Sequence, residues 1–375
     1  MSKARELAEL GAVYDSGALS NRNLIINGAM QVAQRGTSAT SSNDSNYLTM
    51  DRFVYDTRVN AGSSGNFTTE QVTDSPTGFE YSFKITNVNN TAISGSGSIE
   101  CQQFIEGYNV AHLGWGATGA KGVTLSFWVK ASYTGTQSIY FPSSDSGIVW
   151  LDSFTINAAN TWEYKTLFIE GPTTGTWYTT TGRGIMVRIN ISNGTATGTT
   201  KNWTNTNYNI SGQTNTFATT TSSTFQITGV QLEVGTEATP FEHRSFGDEL
   251  ARCQRYYQLV GRDFSDSTPT TAFGWGYTTS SSAAEGMFRF EKRMRTAPTF
   301  TQSTDQNLDF QTNTGSGAVH ASNAFTSVVL SEMSAEFTQQ NHASNFGGAG
   351  QPYFLKWNGV QGTGLSASIQ LDAEL

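Results

Sequence analysis

The strongest constraint on the fold of this chain is a period of two in its apolar residues. In residues 123–131 an apolar side chain stands at every second position, and the same alternation occurs in residues 81–86, 185–192 and 365–371. Residues 225–234 are predicted to form a further strand. Because successive side chains of a strand point to opposite faces of its sheet, each segment is predicted to be a strand with a buried face. Short strands separated by turn residues are typical of a sandwich or jelly roll.

The composition favours an all-β fold and argues against one class of partner. Only 14% of the residues are charged and 12% are aromatic, whereas about 25% of an average soluble protein is charged. The net charge is −8, but a nucleic-acid binder needs a basic patch that neutralises phosphates. The nearest basic cluster lies at residues 289–295 and is interrupted by Glu291. A solvated strand end explains this cluster better, so we expect no nucleic-acid partner.

The 375 residues are enough for two domains. We predict an N-terminal helix and linker over residues 1–22, a jelly roll over residues 23–244, a linking helix over residues 245–258 and a smaller β domain over residues 259–375. The fold class is therefore all-β with two helices. No stretch approaches the roughly 18 apolar residues that cross a bilayer, so we expect no membrane insertion.

The linking helix is predicted from a capping motif at its N terminus and from the spacing of its apolar residues. Ser245 and Asp248 have the spacing of a capping box, with Asp where Glu is usual. Apolar residues repeat at intervals of four, three and four and would form one face of the helix, which is either core or an oligomer seam: Phe246, Leu250, Cys253 and Tyr257.

The N-terminal helix is predicted to be an attachment site. Leu7, Leu10 and Tyr14 would lie on one side of a helix that is too short to be stable alone in water. It must therefore dock, either on its own domain or on another protein. A frayed terminus is the alternative.

Several motifs occur in a fixed order along almost the whole chain. They are Asn-Leu-Ile-Ile-Asn-Gly-Ala-Met at residues 23–30 with Gln-Arg-Gly at 34–36, Leu-Thr-Met-Asp-Arg-Phe at 48–53, Gly-Tyr-Asn-Val at 107–110 leading to Leu-Ser-Phe-Trp-Val-Lys at 125–130, the run 227–235 through 240–242 into Cys-Gln-Arg-Tyr-Tyr at 253–257, Arg-Thr-Ala-Pro-Thr at 295–299, and Asp-Ala-Glu-Leu at 372–375. Together they resemble tail-fibre-like structural proteins of tailed bacteriophages that carry a jelly roll of the carbohydrate-binding-module type.

The resemblance implies a location in the virion, assembly in the host cytoplasm and a homotrimer. The expected function is that of a non-enzymatic tail fibre or receptor-binding fibre, attached to other phage tail or capsid proteins through its N terminus and touching host surface polysaccharide. A head fibre or a capsid-decoration protein without a host ligand is the alternative, and the motifs do not decide between them.

Sugar recognition requires flat aromatic faces with polar groups beside them. Trp115, Trp177, Tyr178 and Trp203 stand among glycines and polar turn residues and are the glycan-binding candidates. For each of them, a core plug or an aromatic ring packed under a loop is the alternative interpretation.

Catalysis and metal binding have weaker signals. The four histidines lack metal-site spacing, and the two cysteines are far apart and outside any Cys-x-x-Cys motif. We therefore expect no metal, cofactor or catalytic residue. A polysaccharide depolymerase is the rival hypothesis, since two carboxylates at a suitable distance could cleave a glycosidic bond. Its candidates are Asp145, Asp152 and Glu163.

Overall fold

The computed structural model describes residues 21–42, 45–58, 66–89, 93, 97–143, 147–193, 201–204, 216–260, 272–302, 308–312, 318–321, 325, 327–339, 349–357 and 369–375. The protein is all-β, with 49% of the chain in strands and 6% in helices, which confirms the predicted fold class. The chain divides into two compact units, residues 1–249 with Leu375 and residues 250–374. The predicted N-terminal helix, with Leu7, Leu10 and Tyr14, lies outside the described residues.

The first unit is a jelly-roll sandwich of two antiparallel sheets. Its strands are β1 (Ser38–Ser42), β2 (Ser45–Asn46), β3 (Phe53–Arg58), β4 (Asn66–Val72), β5 (Ser82–Asn87), β6 (Ser98–Glu106), β7 (Val123–Ala131), β8 (Gly135–Pro142), β9 (Val149–Ile156), β10 (Glu163–Ile169), β11 (Arg183–Asn193), β12 (Asn202–Thr204) and β13 (Thr224–Val234). The first sheet has the order β1-β4-β5-β13-β7-β10 and the second the order β12-β9-β8-β11-β6-β3-β2.

The alternating apolar residues fill the space between these two sheets. Leu125, Phe127 and Val129 of β7 are fully buried and belong to one core cluster with Ile189 of β11 and Ile139 of β8. Strand β7 has the bounds that its sequence pattern predicts. The sandwich core therefore follows directly from the period of two.

Two helices interrupt the strands in the described residues. Helix α1 (Gly107–Val110) continues into a 3-10 turn (Ala111–Leu113) between β6 and β7, and helix α2 (Phe246–Gln254) follows β13. The predicted cap of α2 is present, because the Asp248 amide donates to Ser245 Oγ at 3.2 Å and Ser245 Oγ donates to Asp248 Oδ2 at 2.7 Å.

Helix α2 is shorter than predicted. It ends at Gln254 rather than Gln258, because Tyr257 begins a strand and pairs with Asp372. The predicted apolar face also fails at its start, since Phe246 is mostly exposed whereas Cys253 is buried. The adjacent residues Tyr256 and Tyr257 fit a helix face and a strand equally well. The sequence pattern alone therefore does not show where the helix ends.

The second unit contains two further antiparallel sheets. Its strands are β14 (Tyr257–Val260), β15 (Ala272–Thr278), β16 (Ala284–Arg289), β17 (Thr299–Gln302), β18 (Leu308–Thr312), β19 (Ala318–Ala321), β20 (Ser327–Leu330), β21 (Ser334–Gln339), β22 (Pro352–Trp357) and β23 (Ile369–Asp372). One sheet has the order β14-β23-β17, and the other has the order β19-β18-β22-β15-β16-β21-β20. In the described part of the chain, no helix is long and apolar enough to cross a membrane.

Candidate functional site

Three of the four glycan-binding candidates meet at one edge of the jelly roll. The ring centroids of Trp115 and Trp177 are 4.8 Å apart, those of Trp115 and Trp203 are 5.6 Å apart, and those of Trp177 and Trp203 are 5.5 Å apart. The rings are inclined at 75° to 81° to one another, so each presents an edge to its neighbour's face. Aromatic pairs favour this geometry because a positive ring edge meets a negative face. We call these three residues the tryptophan cluster.

The tryptophan cluster rests on the second sheet. Strand β12 pairs with β9 and places Trp203 opposite Trp150, a buried residue whose ring centroid lies 5.7 Å away. All three indole N–H groups of the cluster donate to backbone carbonyls, namely Lys121 O at 2.8 Å, Thr174 O at 3.3 Å and Glu170 O at 2.8 Å. The rings can therefore offer a ligand aromatic surface but not these hydrogen bonds.

Two loops carry Trp115 and Trp177, and their backbones are fastened together. The amide of Gly116 donates to Pro172 O at 2.8 Å, and the amide of Tyr108 donates to Thr180 O at 2.9 Å. A Cβ on Gly116 would lie 2.5 Å from Gly175 O, so this close approach requires glycine, as does its φ of +93°. The segment of residues 171–182 is thus held against the segment of residues 107–121.

The fourth candidate, Tyr178, lies beside the cluster and faces solvent. Its side chain is 40% exposed and that of Tyr108 is 60% exposed. A small cavity of about 40 Å³ opens between Trp115, Trp177 and Tyr178, and Thr179 also lines it. None of the described residues that line this cavity is charged. The cavity is therefore lined by neutral side chains, among them aromatic rings and hydroxyl groups, which are groups that can contact the C–H faces and hydroxyls of a sugar.

Two residues of this edge were not predicted as site residues. Trp150 looked like an ordinary strand residue, and only its pairing with Trp203 shows that it forms the floor of the cluster. Tyr108 belongs to the Gly-Tyr-Asn-Val motif. Its position after a glycine and outside any alternating strand could have indicated an exposed aromatic residue. The hydrogen bond between its amide and Thr180 O could not be predicted from the sequence.

A second polar feature lies on the face of the second sheet opposite the sandwich core. Glu100 and Asp56 are cross-strand neighbours, and Gln102 Nε2 donates to Asp56 Oδ2 at 2.7 Å and to Glu100 Oε2 at 2.5 Å. Tyr140 donates its hydroxyl to Glu100, and Arg188 Nη1 lies 3.5 Å from Glu100 Oε2. All five side chains are buried. The alternation of Glu100 and Gln102 with the core residues of β6 was the signal that could have found them.

The two described carboxylates among the depolymerase candidates lie on different sheets. Asp152 lies on β9 of the second sheet, where burial raises its pKa, and its Oδ1 accepts the Ser153 amide at 2.7 Å. Glu163 lies on β10 of the first sheet and accepts the Asn157 and Ala158 amides at 2.8 Å. Asp145 lies outside the described residues. Asp152 and Glu163 thus lie on different sheets, and each accepts hydrogen bonds from backbone amides close to it in the sequence.

The motif residues near the N terminus of the jelly roll bind one another. Buried Asn27 donates through Nδ2 to Val32 O at 2.8 Å and to Asp51 O at 3.0 Å, and its own amide donates to Glu249 Oε1 at 2.6 Å. Asp51 Oδ1 accepts the Gln34 amide at 3.0 Å. These motif residues therefore hold the sandwich together instead of facing a ligand. Among the described residues, no group of three or more His, Cys, Asp or Glu is placed to hold a metal ion.

No family model matches the sequence, and no curated protein matches it. Among solved structures, the enzymatically active domain of tailspike protein 4 from bacteriophage CBA120 is 14% identical with a TM-score of 0.30. That match covers 57% of this chain and 22% of the tailspike domain, so the chain spans about a fifth of its length.

Carbohydrate-binding modules also resemble the chain. A CBM4 structure is 12% identical with a TM-score of 0.31, and the match covers 56% of this chain and 98% of that one. The family 11 module of a cellulosomal cellulase from Clostridium thermocellum is 11% identical with a TM-score of 0.28. This match covers 58% of this chain and 97% of the module. At these identities and TM-scores the proposed function rests on this chain's own residues and motifs.

Proposed function

We propose that this chain is a non-enzymatic structural protein of a phage virion, a tail fibre or receptor-binding fibre, that binds host-surface glycans at the aromatic edge of its jelly roll. The observation that carries the proposal is the tryptophan cluster with Tyr178 and Tyr108 exposed beside it. Half-buried indoles fix the edge, and the two exposed phenol rings give flat surfaces for the C–H groups of a sugar ring.

The virion location is supported by the order of motifs that resembles phage fibre proteins. Attachment would use the N-terminal residues Leu7, Leu10 and Tyr14, and the protein would be a homotrimer. A shallow aromatic edge binds a single sugar chain weakly. Several copies on one particle would raise the avidity by orders of magnitude without any new contact.

The test compares binding of fluorescently labelled protein to intact host bacteria, with and without polysaccharide extracted from the same bacteria. We expect saturable binding that the polysaccharide competes away. The double variant Tyr108→Ala/Tyr178→Ala should lose most of the binding, because aromatic residues at the centre of a contact surface supply most of its energy.

The matched control for this test is Tyr164→Ala. Tyr164 is similarly exposed but lies on β10, at the outer face of the first sheet, so its removal should leave binding unchanged. Absence of binding by the folded wild-type protein would contradict the glycan proposal and favour a capsid-decoration protein without a host ligand.

A depolymerase is the second candidate, favoured by the proximity of Asp56 and Glu100. Both carboxylates are buried and already bound by Gln102, which supports a structural role for them. Release of reducing sugar from host polysaccharide, lost in Glu100→Gln, would establish the enzyme instead.

A further inference from the structure

The larger sheet of the second unit has an exposed aromatic row. The strand register places Phe354, Trp275, Met287, Glu336 and Val329 beside one another across β22, β15, β16, β21 and β20. Partners in an antiparallel register share a face of the sheet. Trp275 is 50% exposed and Val329 is 65% exposed. Neighbouring strands lie about 4.8 Å apart, so the row offers a continuous surface across several strands.

A second row lies beside it and adds polar groups. Tyr277, which is 51% exposed, stands opposite Glu285, and Glu285 stands opposite Thr338. The Tyr277 hydroxyl donates to Glu285 Oε2 at 3.0 Å, which fixes the ring and raises the pKa of the phenol. Ser327 ends this row at the edge strand β20.

Glycines alternate with the aromatic residues in the strands beneath the two rows. A Cβ on Gly276 would lie 2.2 Å from Glu285 O, and one on Gly286 would lie 2.7 Å from Phe337 Cζ and from Tyr353 Oη. Tyr353 and Phe337 are buried beneath this sheet. The absence of side chains at the glycines lets these rings pack against the backbone while Trp275 and Tyr277 point outward.

The two rows line a cleft of about 450 Å³ between Trp275, Tyr277, Met287, Val329 and the two carboxylates, Glu285 and Glu336. Small-molecule sites in proteins are clefts of roughly 300–1,000 Å³ with mostly apolar walls and a few polar groups. This cleft has that size and that mixture.

We infer that this cleft is a second carbohydrate site, separate from the jelly-roll edge, and that it binds a short neutral oligosaccharide laid across the strands. The aromatic rings would contact the C–H faces of the sugar, and Glu285 and Glu336 would accept hydrogen bonds from its hydroxyls. Both charged residues that line the cleft are acidic, so an acidic glycan would meet like charge.

A second copy of this chain fits the cleft less well. The core of a protein interface is depleted of charged residues, whereas Glu336 stands within this row, between Met287 and Val329. The ligand is therefore assigned to carbohydrate rather than to a partner subunit.

The test uses the full chain and soluble probes, measured by isothermal titration calorimetry in the Tyr108→Ala/Tyr178→Ala background. The probes are cellohexaose, maltohexaose and chitohexaose as neutral hexasaccharides, and hexagalacturonic acid as the acidic one. We expect at least one neutral probe to bind and the acidic probe to bind more weakly. Trp275→Ala and Val329→Arg should each weaken the neutral probe about tenfold or more.

The control variant is Met333→Ala, an equally exposed apolar residue between β20 and β21 that does not line the cleft. It should bind as the parent does. Circular dichroism checks that each variant is folded, and Val329→Arg serves as the second variant because its side chain is the more exposed.

Three results would overturn the inference. These are no binding of any neutral probe, unchanged binding after both cleft substitutions, or a smaller assembly of Trp275→Ala in analytical ultracentrifugation, which would make the face a subunit interface. Because the jelly-roll tyrosines are absent from the background protein, failure here is distinguishable from failure of the glycan proposal for that edge.

Discussion

At the scale of single residues, Glu242 shows how one carboxylate holds the N-terminal segment in place. Its Oε1 accepts the Asn21 amide at 2.6 Å and its Oε2 accepts the Asn23 amide at 2.8 Å. Arg244 Nη2 also donates to Oε2 at 3.1 Å. Burial alone would raise the pKa of Glu242, but these hydrogen bonds and the guanidinium outweigh it, and the pKa is lowered.

This lowered pKa predicts an acid-sensitive contribution to stability. A carboxylate whose pKa falls on folding stabilises the protein above its unfolded pKa, and the contribution is lost as the pH falls through the folded pKa. Glu242→Gln loses part of these charge-assisted hydrogen bonds and should cost about 1 kcal/mol at neutral pH, because solvent screens a carboxylate that is only partly buried. The difference from wild type should shrink below the usual glutamate pKa of 4.5.

Urea unfolding of both proteins at a series of pH values measures this difference, and the other titrating groups cancel in the comparison. A constant difference between pH 7 and the acid end would show that Glu242 titrates alike in the folded and unfolded chains.

At the scale of elements, β13 is where the N-terminal segment joins the sandwich. The register of β13 against β7 shifts between Thr228 and Gln231, and Gly229 within this bulge has a φ of +61°. Within the same bulge the Val230 amide donates to Gly28 O at 2.9 Å. A Cβ on Gly28 would lie only 2.1 Å from Val230 O.

The close contact between Gly28 and Val230 O predicts that a methyl group added at residue 28 lowers the stability of the first unit. Gly28→Ala should destabilise the first unit by about 1–3 kcal/mol, since backbone atoms must move to make room. Gly247→Ala is the matched control, because a Cβ there meets nothing within 4 Å and the site lies in α2. It should be neutral or stabilising by up to about 1 kcal/mol. Equal stability of both variants in denaturant unfolding would contradict the close contact.

Elements with strict alternation were predictable from sequence, whereas long-range encounters were not. Strand β7 has its predicted bounds because every second residue is apolar. The end of α2 was mispredicted because Tyr257 suits either a helix face or a strand. The tryptophan cluster unites residues at positions 115, 177 and 203, so local patterns single out each ring but cannot show their meeting. Trp275 and Tyr277 alternate with glycines, which was a readable sign of an outward aromatic face.

At the scale of the whole molecule, the two compact units each contain one buried cysteine. Cys101 lies in β6 of the first unit and Cys253 in the part of α2 that belongs to the second. Burial raises the pKa of the Cys101 thiol. Only the thiolate is strongly nucleophilic, so both burial and a high pKa suppress reaction.

We therefore predict that neither thiol reacts with a disulfide reagent while its unit is folded. Cys253→Ala leaves Cys101 to report on the first unit, and Cys101→Ala leaves Cys253 to report on the second. The labelled fraction is measured by mass spectrometry along a urea series and should follow unfolding. Full labelling of either single-cysteine protein without denaturant would contradict this prediction.

The glycines between the two loops of the jelly-roll edge have a consequence for how such a protein can diversify. A Cβ on Gly107 would lie 2.5 Å from Tyr178 O and one on Gly116 would lie 2.5 Å from Gly175 O, so both glycines set the path of the loops. Tyr108 and Tyr178 carry side chains that face outward from this path. Exchanging these outward residues changes the chemistry of the surface while its scaffold stays intact. A surface built in this way can change its chemistry by point substitution without a new fold.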